Sequence, residues 1–264
     1  MKHQSVAIIT GASRGIGAAT AIAFAQRGYH LALVARDADG LAKVCAQASA
    51  MGVQATALPG DLQDLTFVES IVQKTRERWG QIDVLVNNAA WREIITMRDI
   101  GLESWEQTLR ICLTAPAFLA RWTAQHMEKQ RSGVIINVSS IMAERAAGIS
   151  PAYVACKGAL NSLTFELASL YGPSGIRVVG ISPGAIDTEM SRDLDKTLPP
   201  ANDPTLSEDM IMLRRWGTPA EIAQAIVWAA SEDASYLTGT TITLDGGLLH
   251  HHFPHSLRKQ SAPE

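Results

Sequence analysis

The sequence predicts an α/β fold, one doubly wound parallel sheet with helices on both faces. Three observations predict it. Short β-rich runs alternate with helix-length segments from end to end. Several of those runs are continuously apolar, and the first empties into a glycine-rich turn that opens a helix. Continuously apolar runs suit strands covered on both faces, and strict alternation implies right-handed crossovers between parallel neighbours. Strands are expected at 6–10, 30–35, 54–58, 82–86, 134–138, 177–181 and 240–244. Helices are expected at 16–27, 38–50, 65–79, 105–129, 151–171 and 220–230.

The elements carry their chemistry in chain order. The run at 6–10 enters Thr10-Gly11-Ala12-Ser13-Arg14-Gly15-Ile16-Gly17, and a helix follows. Glycines let the backbone turn sharply and approach a pyrophosphate closely. The helix N-terminus adds free N–H donors and a positive dipole end. The spacing is Gly-x3-Gly-x-Gly, and no Gly-Lys-Ser/Thr follows, so this is no triphosphate loop. A tight strand–helix turn without a ligand is the alternative.

The second strand ends at Val34-Ala35-Arg36-Asp37. A carboxylate closing that strand would bond the adenosine ribose and repel a 2′-phosphate. Here Ala35 closes it, and Arg36 with Arg14 can pair a 2′-phosphate through charge-assisted hydrogen bonds. The expected cofactor is therefore NADP(H), with NAD(H) second. Otherwise Arg36 is a solvated loop charge, and Asp37 is left to cap a helix.

The fifth strand leads into Ser139-Ser140, at the carboxyl end where open α/β sheets bind ligands. Ser140 can hold a substrate oxygen, and ordinary loop capping is its other use. The helix at 151–171 starts with Ser150 as N-cap and Pro151 at its first position, and ends near Tyr171-Gly172-Pro173. Tyr153 and Lys157 then share one face of its opening turns. An ammonium and a helix N-terminus both stabilise a phenolate, which suits the phenol to acid–base work near neutrality.

Composition narrows the class. The chain has 264 residues, 47% hydrophobic and 19% charged, with a formal net charge of −3. Such a chain folds compactly as one domain spanning residues 1–264, and it lacks the basic face that non-specific nucleic-acid or membrane binding needs. No apolar run approaches the ~20 residues of a membrane span, and the first residues show no signal-peptide pattern. Cys45, Cys112 and Cys156 are too scattered for a disulfide framework or a zinc site, so a cytoplasmic location is expected. The Pro-rich break at 198–204 reads as part of an inserted mobile substrate loop over roughly 190–215. A tail at 248–264 carries His250, His251, His252 and His255 without clustered carboxylates or cysteines, and no metal is expected there.

Together these residues resemble the short-chain dehydrogenase/reductase family in its roughly 250-residue form, over nearly the whole chain. Thr10–Gly17 is similar to its cofactor loop, Asp61-Leu62 to its adenine contact and Asn87-Asn88-Ala89-Ala90 to its Asn-Asn-Ala-Gly element. Pro183-Gly184-Ala185-Ile186-Asp187-Thr188 resembles the segment that closes over the nicotinamide, and Asp245-Gly246-Gly247 the usual ending. The resemblance implies a Rossmann-type fold and hydride transfer between nicotinamide and a carbonyl or secondary alcohol. Ser140 would orient the carbonyl, Tyr153 would donate the proton, and Lys157 would hold the nicotinamide ribose. It further implies cofactor contacts from Gly11, Ser13, Arg14, Gly15, Ile16, Gly17, Arg36, Asp61, Leu62, Asn87, Asn88, Ala89, Pro183, Gly184, Ile186 and Thr188. The Tyr-x6-Lys spacing of related enoyl reductases is absent, which argues against reduction of a C=C bond.

Two positions depart from the family. Ala90 replaces a glycine, and Cys112 stands where an asparagine completes a proton relay and steadies a helix irregularity. A thiol is only a weak donor, so it is not expected to replace the amide's hydrogen bonds. Cys156 falls off the Tyr153/Lys157 face and reads as a small buried residue. Trp91, Arg92, Met190, Met210, Met212 and Trp216 line a pocket or simply pack, and those after Thr188 have a positional reason to line one. The substrate is a small carbonyl or alcohol. A 3-oxoacyl-carrier-protein reductase is one option, although Gly172-Pro173-Ser174-Gly175 offers no cation to an acidic carrier. Sugars, polyols and cyclic alcohols remain open, as does a non-catalytic NADP(H)-binding role. Surplus apolar residues on the two long helices, including Phe118, Leu119, Trp122, Leu163, Phe165 and Leu167, predict a homo-oligomer, a tetramer or dimer.

Overall fold

The computed structural model describes residues 4–191, 208–252 and 254. Seven strands form one sheet: β1 (Val6–Thr10), β2 (His30–Ala35), β3 (Ala55–Pro59), β4 (Val84–Asn87), β5 (Gly133–Val138), β6 (Ile176–Pro183) and β7 (Thr240–Leu244). All pairings are parallel, in the order β3-β2-β1-β4-β5-β6-β7. The central strands β1, β4 and β5 are buried along their whole length, as their unbroken Val/Ile content requires.

Helices α1 (Gly15–Gln26), α2 (Ala38–Ser49) and α7 (Pro219–Ala230) cover one face, where Phe24, Leu41 and Ile226 pack against Ile9, Val86 and Ile136. Helices α3 (Leu65–Trp79), α5 (Ala115–Gln130) and α6 (Pro151–Tyr171) cover the other, where Ile71, Leu119 and Leu167 meet Ile8, Leu85 and Ile135. The strand order reverses between β1 and β4, which opens a crevice at their carboxyl ends. Among the described residues, no helix is long and apolar enough to cross a membrane. Residues 192–207 of the expected substrate loop, together with 253 and 255–264 of the expected tail, lie outside the described residues.

One expected element is divided. In place of a single helix over 105–129 there is α4 (Leu102–Leu109), a π turn at Arg110–Thr114, and then α5. Ala115 N donates to Arg110 O, five residues back. The cause is Pro116, which has no N–H to offer the carbonyl of Cys112 four residues before it. Ser150 does take the N-cap position of α6, yet its hydroxyl donates to Glu93 O at 3.0 Å and makes no cap bond.

Candidate active site

The turn after β1 is built to leave space. Gly11 and Gly15 take φ of +67° and +56°, in the left-handed region that favours glycine. A Cβ on Gly11 would stand 2.8 Å from Asn88 Nδ2, and one on Gly17 would collide with Gly11 O. Thr10 joins the ends of β1 and β4: its hydroxyl accepts from Asn88 N and Ala89 N, both at 3.0 Å, and donates to Val86 O. No side chain caps α1 and no acidic residue lies in its first turn, so its N-terminus faces the crevice as an anion cradle. A pyrophosphate fits such a cradle.

From this cradle a cleft of about 450 Å³ runs without interruption to Tyr153 and Leu248. Of the residues expected to hold cofactor or substrate, all but Gly17, Asn87 and Cys112 border it. Gly17 acts by letting α1 pass close to Gly11. Asn87 is buried in the sheet, where its Nδ2 donates to Asn137 Oδ1 at 2.9 Å and to Pro116 O at 3.3 Å. Asn137 in turn donates to the Thr164 hydroxyl, so Asn87 ties β4 to β5 and the helices behind them. Cys112 lies behind the cleft wall.

At the far end of the cleft from Tyr153, Asp37 caps α2 by accepting from Gly40 N at 3.0 Å. Arg36 beside it is exposed and, among the described residues, has no ion-pair partner. Arg14 borders the cleft as well. It is paired with Glu189 at 2.6 Å across the cleft mouth, with both side chains largely exposed. Asp61 accepts from the backbone and side-chain amides of Gln63, which shapes the exit from β3.

The opening turns of α6 bring Tyr153 and Lys157 together, with Lys157 Nζ 5.3 Å from the phenol ring centroid. Lys157 is only 2% exposed, and its ammonium donates to Val138 O at 2.7 Å. Ser139 Oγ donates to Lys157 O at 3.1 Å, fixing that turn of α6 against the end of β5. Ser140 serves both of its expected ends: it borders the cleft, and its Oγ accepts from Met142 N to cap the short turn Ile141–Ala143.

Cys112 is held by one neighbouring residue. Its sulfur accepts from Trp91 N and donates to Trp91 O, each at 3.3 Å, the weak contacts a thiol can make. Burial pushes the Cys112 thiol up, against the lowering pull of Lys157. Cys156 is likewise buried, and its thiol is pushed up to about 12. Ala90, the other departure, avoids the left-handed region, so an alanine there carries no backbone strain.

Sequence position alone misjudged the pocket lining. Trp91 and Arg92 border the cleft, as do Met142 and Arg145, which no sequence motif marks. Of the residues after Thr188, Met190 lines it, while Met210 is buried with Ile211 and Leu248 and Trp216 packs on that cluster. Met212 is 46% exposed. His251 is buried with Nδ1 3.0 Å from Met210 O, and the described residues hold no cluster of metal-ligating side chains.

Comparisons with known proteins agree with this arrangement. A family model described as enoyl-(acyl carrier protein) reductase matches residues 11–249. An L-rhamnose 1-dehydrogenase (NAD(P)(+)) of Sphingomonas sp. (strain SKA58) is 35% identical, covering 91% of this chain and 94% of its own. A cis-4-hydroxycyclohexanecarboxylate dehydrogenase of Sinomonas cyclohexanicum is 34% identical, covering 92% and 96%. The crystal structure of a short-chain type dehydrogenase/reductase from Mycobacterium marinum superposes with a TM-score of 0.86 at 31% identity, covering 92% of this chain and 95% of that one. A doubly wound sheet with a glycine cradle, a Tyr-x3-Lys helix and relatives along the whole chain has one reading. The protein belongs to the short-chain dehydrogenase/reductase family and is an oxidoreductase acting on alcohol or carbonyl substrates with a nicotinamide cofactor.

Proposed function

We propose that the protein is an NADP(H)-preferring reductase or dehydrogenase of a small carbonyl or secondary alcohol, with Tyr153 as its general acid–base. One observation carries the reading: Ser140, Tyr153 and Lys157 border the same cleft as the glycine cradle. A nicotinamide dinucleotide, when bound, supplies or accepts the hydride. In the reductive direction, Ser140 donates a hydrogen bond to the substrate oxygen and the Tyr153 hydroxyl gives that oxygen its proton. The Lys157 ammonium steadies the phenolate left behind and keeps two N–H donors for the cofactor ribose, its third being held by Val138 O.

The NADP(H) preference rests on Arg36. No carboxylate closes β2, since Asp37 is engaged in capping α2. The Arg14–Glu189 pair is largely exposed, and exposed pairs contribute only ~0–1 kcal/mol, so a 2′-phosphate dianion can recruit Arg14 as well.

A second reading, reduction of a 3-oxoacyl group on a carrier protein, is favoured by Arg131. Its guanidinium donates to Pro173 O at 3.2 Å and gives the turn Gly172–Ser174 the cation its own residues lack. A homo-oligomer is part of the same proposal. On α6, Phe165 and Leu170 are 48% and 60% exposed, while Leu167 of α6 and Leu119 of α5 are used within the core.

The test is steady-state NADPH oxidation over a panel of oxo acids, sugars, cyclic ketones and 3-oxoacyl thioesters. Turnover of one class with NADPH supports the reading. Tight NADPH binding without turnover of any compound contradicts it.

A further inference from the structure

Arg92, in the segment between β4 and α4, borders the cleft beside Tyr153, its Cζ 5.5 Å from the phenol ring centroid. Among the described residues, its guanidinium makes one hydrogen bond, from Nη1 to Met142 Sδ at 3.4 Å, and a thioether is a weak acceptor for a group with five donors. The neighbouring carboxylate, Glu93, is taken by the Ser104 hydroxyl. Among the described residues, no carboxylate pairs with Arg92. Burial strips water from its guanidinium and draws its pKa below the ordinary value, with Tyr153 pulling the other way.

A partly desolvated, unpaired guanidinium is costly, and an anion within reach offsets that cost. Arg145 borders the same cleft, with Nη1 donating to Leu248 O, and adds positive potential. Trp91, Ile141 and Ile149 offer apolar wall for a carbon skeleton.

We propose that Arg92 is the anchor for an anionic substrate, a hydroxy acid or oxo acid. The substrate's carboxylate pairs with the guanidinium while its reacting oxygen meets Ser140 and Tyr153. The planar fork of arginine matches a carboxylate through two parallel hydrogen bonds. A neutral sugar or ketone leaves that fork unpaired, so Arg92 selects against uncharged substrates as well as for acids. The proposal rests on the reaction proposed above.

The test compares 4-oxocyclohexanecarboxylate and 4-oxopentanoate with their methyl esters, with NADPH, in the wild type, Arg92→Gln and Arg92→Lys. The expected result is kcat/KM at least tenfold higher for one of the acids than for its ester. Arg92→Gln erases that preference by raising KM for the acid at least tenfold more than KM for its ester, and Arg92→Lys retains part of it. Esters that match both acids overturn the proposal. So does an Arg92→Gln protein that loses acid and ester activity alike with a shifted pH profile, since Arg92 would then serve Tyr153 alone. Should neither probe turn over, the proposed reaction fails for these compounds and calorimetry decides the anchor. With saturating NADP(H), the acid should bind the wild type at least tenfold more tightly than Arg92→Gln. Equal affinities, or no binding to either, overturn it.

Discussion

The Cys112 sulfur stands 3.3 Å from both the backbone nitrogen and the backbone oxygen of Trp91, accepting from one and donating to the other. This pairing fastens the π turn of Arg110–Thr114 to the segment that carries Trp91 and Arg92 into the cleft wall. Since the thiol already fills both bonding roles, Cys112→Asn should change kcat by less than about tenfold, roughly 1.4 kcal/mol. Cys112→Ala leaves the Trp91 backbone unpaired and should destabilise the protein by ~1–3 kcal/mol in denaturant titration. A parent inert on every carbonyl and rescued by Cys112→Asn would contradict this.

Raised thiol pKa values keep Cys112 and Cys156 protonated near neutrality, and only thiolates are good nucleophiles. Iodoacetamide at pH 8 should label neither in the native protein and all three cysteines after unfolding, read by mass spectrometry. The unfolded chain releases the Cys156 proton near pH ~8.5 while the folded one holds it to about 12. The stability it contributes is therefore complete below pH ~8.5 and declines as pH rises through that window. Rapid native labelling of Cys156 would show that its burial is incomplete.

Cofactor choice should follow Arg36 and the Arg14–Glu189 pair. Initial-rate kinetics should give at least tenfold preference for NADP(H), since a charge-assisted pair contributes ~1.5–3 kcal/mol. Arg36→Asp should abolish or reverse it. Glu189→Gln frees Arg14 and should lower the KM for NADPH without changing that for NADH. Equal KM values for both cofactors in the parent protein would sink the NADP(H) assignment.

The exposed Phe165 and Leu170 on α6 should be covered by a second copy of the chain. Light scattering should give a dimer or tetramer mass, and Phe165→Asp should dissociate it. A monomer at all concentrations would remove the oligomer from the proposal.

The strand ladder was legible because parallel strands buried on both faces must be apolar throughout, and β1 and β2 fall where the sequence places them; the half-buried edge strand β7 does too, on its β-branched residues. So was the helix that carries Tyr153 and Lys157, whose Ser150-Pro151 start and Gly172-Pro173 end are local signals. The π turn was announced only by the resemblance, which implies a helix irregularity at Cys112; no local pattern shows it, because its cause is a missing donor on Pro116 acting on a carbonyl four residues away. Arg92 was underrated for a related reason: only the fold shows that Glu93 turns to Ser104 and leaves the guanidinium beside Tyr153. The Arg14–Glu189 and Arg131–Pro173 contacts join residues far apart in sequence, which no local pattern announces.

If Tyr153 moves the proton, Tyr153→Phe exposes that role with the least disturbance, because the change removes one oxygen and keeps the ring. NADPH binding, followed by fluorescence titration, should remain within a few-fold of the parent. Turnover of the best carbonyl substrate should fall ~10²–10⁴-fold, the usual contribution of a general acid. Activity within a factor of two of the parent would mean that the proton comes from another group and that the account is wrong.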